Sequence, residues 1–239
     1  MADRLTGAVV LLTGASGGIG AALIKDLLDA GASEIICASR SPVTAATGVT
    51  PEVVDVTDAA SVQALAARCA SRVSVVIHCA GINANQRLFT PGFEASARRE
   101  METNYFGLLH VASAFAPALQ ARGSGLFVHL LTFLSHVNLP LMAGYCASKA
   151  AAHSITQALR AELRRSGVQV CGVYPAVVDT AMSQHIPGPK LAPGDLAQAI
   201  VQAIRSGADT LYPGAAAGAY QQYLDDPQTI EARMASRLP

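Results

Sequence analysis

The chain has 239 residues, 51% of them hydrophobic and 14% charged, a balance that buries a large core and excludes intrinsic disorder. Its formal net charge is zero and no run of like charges interrupts it, so the basic footprint that a nucleic-acid backbone requires is missing. Five cysteines, Cys37, Cys69, Cys79, Cys146 and Cys171, are odd in number and set mostly in apolar runs, which reads as buried thiols in a reducing compartment and not as disulfides or zinc ligands.

From the N-terminus, the segment 1–7 carries two charges and no apolar core, and no stretch approaches the ~18 uninterrupted apolar residues of a membrane span. The expectation is a cytoplasmic protein with no membrane partner. Short apolar runs then alternate with segments of helical period. Ala8–Leu12, Glu34–Ala38, Glu52–Val54, Val73–His78, Gly125–Leu131 and Val168–Tyr174 read as strands. Between them, Leu23, Ile24, Leu27 and Leu28 form one helical stripe closed by Gly31, and Met101, Tyr105, Leu108, Leu109, Ala112 and Leu119 form another. Strands that are apolar throughout belong to a sheet covered on both faces. Strict alternation with helices makes that sheet parallel, so the fold class is α/β, a doubly wound Rossmann fold with helices on both faces. No proline-, serine- or charge-rich linker divides residues 1–239, which read as a single domain. From Pro175 onward proline and glycine break the rhythm, with a short helix at about Asp195 to Arg205; region 175–239 is expected to cover a ligand.

Directly after the first strand comes Thr13-Gly14-Ala15-Ser16-Gly17-Gly18-Ile19-Gly20, with a helix beginning at its end. A dinucleotide needs glycine in such a place. Gly14 permits the sharp turn, Gly18 admits a pyrophosphate close to the backbone, Gly20 lets helix pack on strand, and the helix N-terminus adds partial positive charge. Ser16 and Ile19 complete the contacts of this loop. The second strand ends at Ser39-Arg40 with no acidic residue for a ribose diol. Arg40 can instead pair a 2′-phosphate through its forked donors, favouring NADP(H) over NAD(H); the competing reading is a solvated surface arginine. Asp55, followed by Val56 at the end of the third strand, either accepts a hydrogen bond from the adenine amino group or caps a turn.

Tyr145 and Lys149 stand four apart at the start of a helical segment running to Arg165, and so share a face. With six tyrosines and three lysines in the chain, chance places such a pair in about one sequence in thirteen, so its context must carry it. That context is the strand ending Leu130-Leu131-Thr132 before it and the strand ending Tyr174-Pro175-Ala176-Val177-Val178-Asp179-Thr180 after it.

With the glycine loop, Ala80-Gly81 after the fourth strand and Asn104 in its helix, these pieces resemble the classical short-chain dehydrogenase/reductase family over essentially the whole chain. The resemblance implies about seven strands, a nicotinamide cofactor, and a catalytic set of Asn104, Thr132, Tyr145 and Lys149. Tyr145 would be general acid in reduction and base in oxidation. Lys149 would stabilise its phenolate and bond the nicotinamide ribose. Asn104 would hold a water linking Lys149 to bulk; a polar residue satisfied inside an apolar helix is the equal alternative. The family's serine position, thirteen before the tyrosine, is Thr132, which keeps the hydroxyl and adds a methyl. Thr132 is preferred for that role over Ser135, three residues later. Cys79 and Ala176 replace the family's asparagine and glycine. Ala80, Gly81, Val178 and Thr180 would line the cofactor, the last two at the carboxamide.

The six histidines, His78, His110, His129, His136, His153 and His185, show no metal spacing and read best as core or surface residues, with a place at the border of the pocket the alternative for His136 and His185; this chemistry requires no metal. The substrate is expected to be small, apolar to moderately polar, and bounded by Thr132, Phe133, Leu134, Leu139, Leu141, Met142 and the Met182–Ile186 loop; the competing reading makes the same residues ordinary core. The function so implied is hydride transfer between NADP(H) and a ketone or secondary alcohol, of the carbonyl reductase or alcohol dehydrogenase type. The alternative is a non-catalytic NADP(H)-binding redox sensor or subunit partner. A homotetramer or homodimer is implied by the resemblance.

Overall fold

The computed structural model describes residues 3–238. Seven parallel strands make one sheet: β1 (Val9–Thr13), β2 (Glu34–Ser39), β3 (Val49–Val53), β4 (Val75–His78), β5 (Gly125–Leu130), β6 (Val168–Val173) and β7 (Thr210–Leu211). Their spatial order is β3-β2-β1-β4-β5-β6-β7, so the chain winds outward to β3, returns to β4, and winds the other way. Helices α1 (Gly18–Asp29), α2 (Ala59–Cys69), α3 (Phe93–Met101), α4 (Gly107–Arg122), α5 (Ala143–Leu163), α6 (Pro193–Ser206), α7 (Ala215–Asp225) and α8 (Pro227–Ala235) follow in chain order. The reversal leaves a crevice beyond the carboxyl ends of β1 and β4, where doubly wound sheets bind ligands.

Alternation of side chains along the strands divides the core into two layers. Val10 and Leu12 of β1 face Leu23 and Leu27 of α1 and Ile200 and Ile204 of α6. Leu11 faces the other layer, with Leu65 of α2, Val111 and Phe115 of α4 and Leu163 of α5. Fully burying one such leucine contributes about 2 kcal/mol, so these strands cannot trade faces by slipping one residue.

Three expectations need correction. The third strand starts at Val49, three residues before Glu52, and contains Pro51. It lies at the sheet edge, where a residue without an N–H is tolerated. The stripe through Met101 and Tyr105 is displaced by a π turn over Glu102–Phe106, which inserts a residue; the buried face runs through Asn104, Leu108, Val111, Phe115 and Leu119. The helix expected at about Asp195 to Arg205 is α6, Pro193–Ser206, and β7, α7 and α8 follow it. Phe133 does not border an open pocket, because it is buried with Val137 and Ile230 beneath α7 and α8.

Candidate active site

The glycine loop lies at the mouth of the crevice. Gly14 has a left-handed backbone, φ +68°, and a Cβ on it would stand 2.7 Å from the Ala80 amide nitrogen, so only glycine lets the β1 turn meet the β4 turn. A Cβ on Gly20 would overlap the Gly14 carbonyl and lie 2.8 Å from Ala15 Cα, which locks the first turn of α1 against the loop. Gly17 precedes α1 without a side-chain cap. Among the described residues, the amides of Gly18, Ile19 and Gly20 have no acceptor, and together they present unpaired donors at the positive end of a helix of 12 residues. An anionic pyrophosphate fits that cradle; a neutral group would leave the donors unsatisfied. Ser16 is exposed at its rim. Thr180, in the loop after β6, lies over the cradle: a Cβ on Gly18 would meet its methyl at 2.9 Å.

Ser39 is buried at the end of β2 and donates to the Ser41 carbonyl at 2.5 Å, fixing the turn from which Arg40 projects into solvent. Asp55 accepts from the Thr57 amide at 2.9 Å and the Thr57 hydroxyl at 2.8 Å. Those bonds, with Arg40 nearby, hold its carboxyl below the usual range. It therefore caps a turn and carries a negative charge beside Arg40 as well. Val56 is buried against Gly107 at the head of α4.

The four catalytic candidates converge from three places: α5, the π turn and the segment after β5. Lys149, on the second turn of α5, is 5% exposed, and its Nζ donates to the Leu130 carbonyl at the end of β5, 2.8 Å away. Burial lowers its ammonium from 10.5 to about 8. Asn104, on the π turn, is buried; its amide accepts from Ile82 N at 2.8 Å and donates to Ile82 O at 2.9 Å and Ser148 Oγ at 2.9 Å. Its side chain is thus fully engaged in clamping the strand end, and a Cβ on Gly81 would lie 3.1 Å from Asn104 Oδ1 and 3.4 Å from Lys149 Nζ.

Tyr145 keeps part of its surface open on the first turn of α5. Burial around its hydroxyl pushes the phenol well above its ordinary range, Cys146 and Glu100 add to the rise, and the Thr132 hydroxyl opposes it. The stabilisation of a phenolate by Lys149 is not expressed in this arrangement, where the ammonium is anchored on Leu130. Thr132 is the hydroxyl placed to act on Tyr145; it also donates to the Pro175 carbonyl at 3.3 Å and accepts from Leu134 N at 3.3 Å. Ser135 is buried with its hydroxyl unpartnered. The sequence reading missed Ser148, wholly buried between Asn104 and the Tyr145 carbonyl, to which it donates at 2.8 Å.

Beyond β6, the Val178 carbonyl accepts from Ser183 Oγ at 2.5 Å, and Ser183 and Thr180 form a capping box that shapes the loop facing the cradle. His185 on the same loop reaches Asn85 Oδ1 across the crevice at 3.0 Å. His136 sits apart, in an aromatic cluster with Tyr212 and Tyr223, its Nε2 3.0 Å from the Tyr212 hydroxyl. The thiols are free, and Cys79, beside Ala80, is pushed up to about 12 by burial. Among the described residues there is no cluster of potential metal ligands, and no helix is long and apolar enough to cross a membrane.

Comparison with known proteins agrees with this geometry. The short chain dehydrogenase family model matches residues 8–190. An uncharacterized oxidoreductase from Staphylococcus haemolyticus is 32% identical over 215 residues, covering 84% of this chain and 92% of its own. An L-tagatose-forming galactitol 2-dehydrogenase from Cereibacter sphaeroides is 35% identical over 75% of each chain. Among solved structures, a short chain dehydrogenase from Burkholderia cenocepacia in complex with NADP superposes with a TM-score of 0.92 at 37% identity, covering 96% of this chain and 98% of that one. The parallel sheet, the glycine cradle at its switch point, the Tyr145 and Lys149 helix and the match over 8–190 place the chain in the short chain dehydrogenase family of oxidoreductases.

Proposed function

We propose that this protein transfers a hydride between NADP(H) and a ketone or secondary alcohol, with Tyr145 as general acid in reduction and general base in oxidation. The observation that carries the reading is a cradle of unpaired α1 amides sharing one crevice with Tyr145, Thr132 and a buried Lys149. When bound, the nicotinamide supplies or accepts the hydride. Gly14, Ser16, Gly18, Ile19 and Gly20 hold its pyrophosphate, Ala80, Gly81, Val178 and Thr180 its nicotinamide end, and Val56 its adenine side. The 2′-phosphate falls to Ser39 and Arg40. The Burkholderia cenocepacia relative, crystallised with NADP, supports that preference, whereas Asp55 beside Arg40 weakens it electrostatically.

Thr132 donates to the substrate oxygen and orients it toward the Tyr145 hydroxyl. A phenol held above its ordinary range remains protonated at neutral pH, which suits donation to a carbonyl oxygen. Alcohol oxidation needs the phenolate, and the Lys149 charge assists its formation. Asn104 fixes Ile82 and Ser148 around that lysine and belongs to the relay that links Lys149 to bulk water. Region 175–239 covers the substrate, and the Thr180–Ser183 loop forms its roof. A secondary alcohol is supported by the galactitol 2-dehydrogenase relative, whose name describes oxidation at such a carbon. Homo-oligomerisation is supported by the exposed Phe106 at the head of α4 and by the outward Ala147 and Ala150 of α5.

The test is NADPH oxidation with a panel of reactive diketones and activated ketones. Tyr145→Phe is expected to lower kcat by about 10²–10⁴ while leaving NADPH affinity, read by fluorescence titration, within about twofold. Wild-type binding of NADPH without turnover of any carbonyl or alcohol would favour the redox-sensor reading. Normal turnover by Tyr145→Phe would remove that residue from the mechanism.

A further inference from the structure

Glu100 is a buried carboxylate on the last turn of α3 that no part of the mechanism above uses. Its Oε1 accepts from the Ala84 amide at 2.7 Å. Its Oε2 lies against the first turn of α5: a Cβ on Gly144 would overlap it, and the same atom would be 3.1 Å from Ala97 Cβ. Gly144 immediately precedes Tyr145, so only a residue without a side chain allows this carboxylate to approach the catalytic helix. Ala84 belongs to the segment leaving Gly81, which Asn104 clamps at Ile82 and which the Gln86 carbonyl joins to the Ala143 amide at 3.2 Å. The titratable groups around Glu100 are Arg99 on its own helix and Tyr145 and Cys146 on α5.

We propose that Glu100 is a positioning residue of the reaction: its carboxylate ties the segment behind Gly81 to the start of α5 and sets the charge against which the Tyr145 hydroxyl must give up its proton. The inference rests on the reading of Tyr145 as the acid–base group. Two functions are combined in one side chain. One oxygen holds the wall of the crevice in place, and the net charge disfavours a phenolate two residues along the chain from the Gly144 contact's N-terminal neighbour. Burial already holds Tyr145 protonated at neutral pH, and an ionised Glu100 beside Gly144 adds to that, deferring alcohol oxidation to higher pH.

Glu100→Gln separates these functions, since its amide oxygen still accepts from Ala84 N while the charge is gone. The midpoint of the pH profile of kcat for alcohol oxidation is expected to fall by about half a pH unit or more. NADP affinity and Tm should stay near wild type. Glu100→Met, which removes both acceptor and charge, is expected to show the same acid shift together with a lower Tm, and it carries the test should the glutamine variant fold poorly. Midpoints coincident with wild type, or displaced upward, in the variant that folds would overturn the proposal. Absence of turnover by wild-type enzyme would instead refute the assignment of Tyr145, so the two failures are distinguishable.

Discussion

Lys149→Met should make the ligand-free protein more stable at neutral pH while abolishing its turnover. The lysine is held charged in a site where burial lowers its ammonium from 10.5 to about 8. At ~1.4 kcal/mol per pH unit, the charged form costs the fold about 3 kcal/mol at pH 7 relative to the unfolded chain. Methionine fills similar space without that charge, but it leaves the Leu130 carbonyl without the donor it has at 2.8 Å, which returns about 1 kcal/mol. The net expected gain is about 2 kcal/mol, or a Tm raised by roughly 4–8 °C in a domain of this size. The sign with pH follows from proton counts. Between pH 8 and 10.5 the unfolded lysine stays protonated while the folded one does not, so wild-type stability contributed by this group rises with pH and is lost as pH falls through about 8. Urea denaturation of both proteins at pH 7 and pH 10 gives the measurement, because the wild-type minus variant difference cancels the other titrating groups. A variant less stable than wild type at pH 7, or a difference that does not narrow toward pH 10, would refute the reasoning.

Two further substitutions probe the cofactor end. Arg40→Asp should shift the ratio of kcat/KM for NADPH over NADH downward by ten-fold or more, about 1.4 kcal/mol of lost charge pairing; an unchanged ratio would show that Arg40 is surface charge alone. Gly20→Ala forces a Cβ into the Gly14 carbonyl and Ala15 backbone and should abolish NADPH binding and lower Tm by several degrees. Gly18→Ala meets the Thr180 side chain, its methyl at 2.9 Å and its Cβ at 3.2 Å, and should fold normally with weakened NADPH affinity. Equal Tm losses in the two glycine variants, by differential scanning fluorimetry, would contradict the assigned geometry.

The residues that could be read in the sequence are those whose chemistry is local. Gly14, Gly18 and Gly20 lie within one turn of chain, and Tyr145 and Lys149 lie one helical turn apart, so spacing alone places them. What escaped depends on contacts between distant segments. Glu100 looks like one more charge in the polar run Arg98-Arg99-Glu100, and only packing of α3 on α5 makes it buried. Ser148 gains meaning from Asn104, 44 residues away. The π turn at Asn104 shifts a periodic stripe without changing its composition, and Pro51 disguises an edge strand as a turn. β7 has two residues, too few for any periodicity, and its place follows from pairing with Gly172 and Val173 of β6. Phe133 was misplaced for a related reason: a hydrophobic residue next to a catalytic position can face either pocket or core, and α7 and α8 decide it.

The histidines show why one buried cation can be maintained here. Thr13, His78 and His129 are paired neighbours across β1, β4 and β5, directly below the crevice. His78 Nδ1 lies 2.9 Å from Thr13 Oγ1; His129 Nδ1 donates to Thr156 Oγ1 at 2.9 Å, whose own hydroxyl is given to Ala152 O. Both imidazoles are enclosed, and burial, with the Lys149 charge adding to it, pushes His129 down to about 3 and His78 well below its ordinary value. They therefore stay neutral through the physiological range and add no positive charge beneath Lys149. A protonated imidazole in that row would lower the lysine further and drive its ammonium toward neutrality, removing the cation on which phenolate formation depends. Two threonine hydroxyls and complete burial keep the row uncharged, and the site's electrostatics are left to Lys149 and, against the first turn of α5, Glu100.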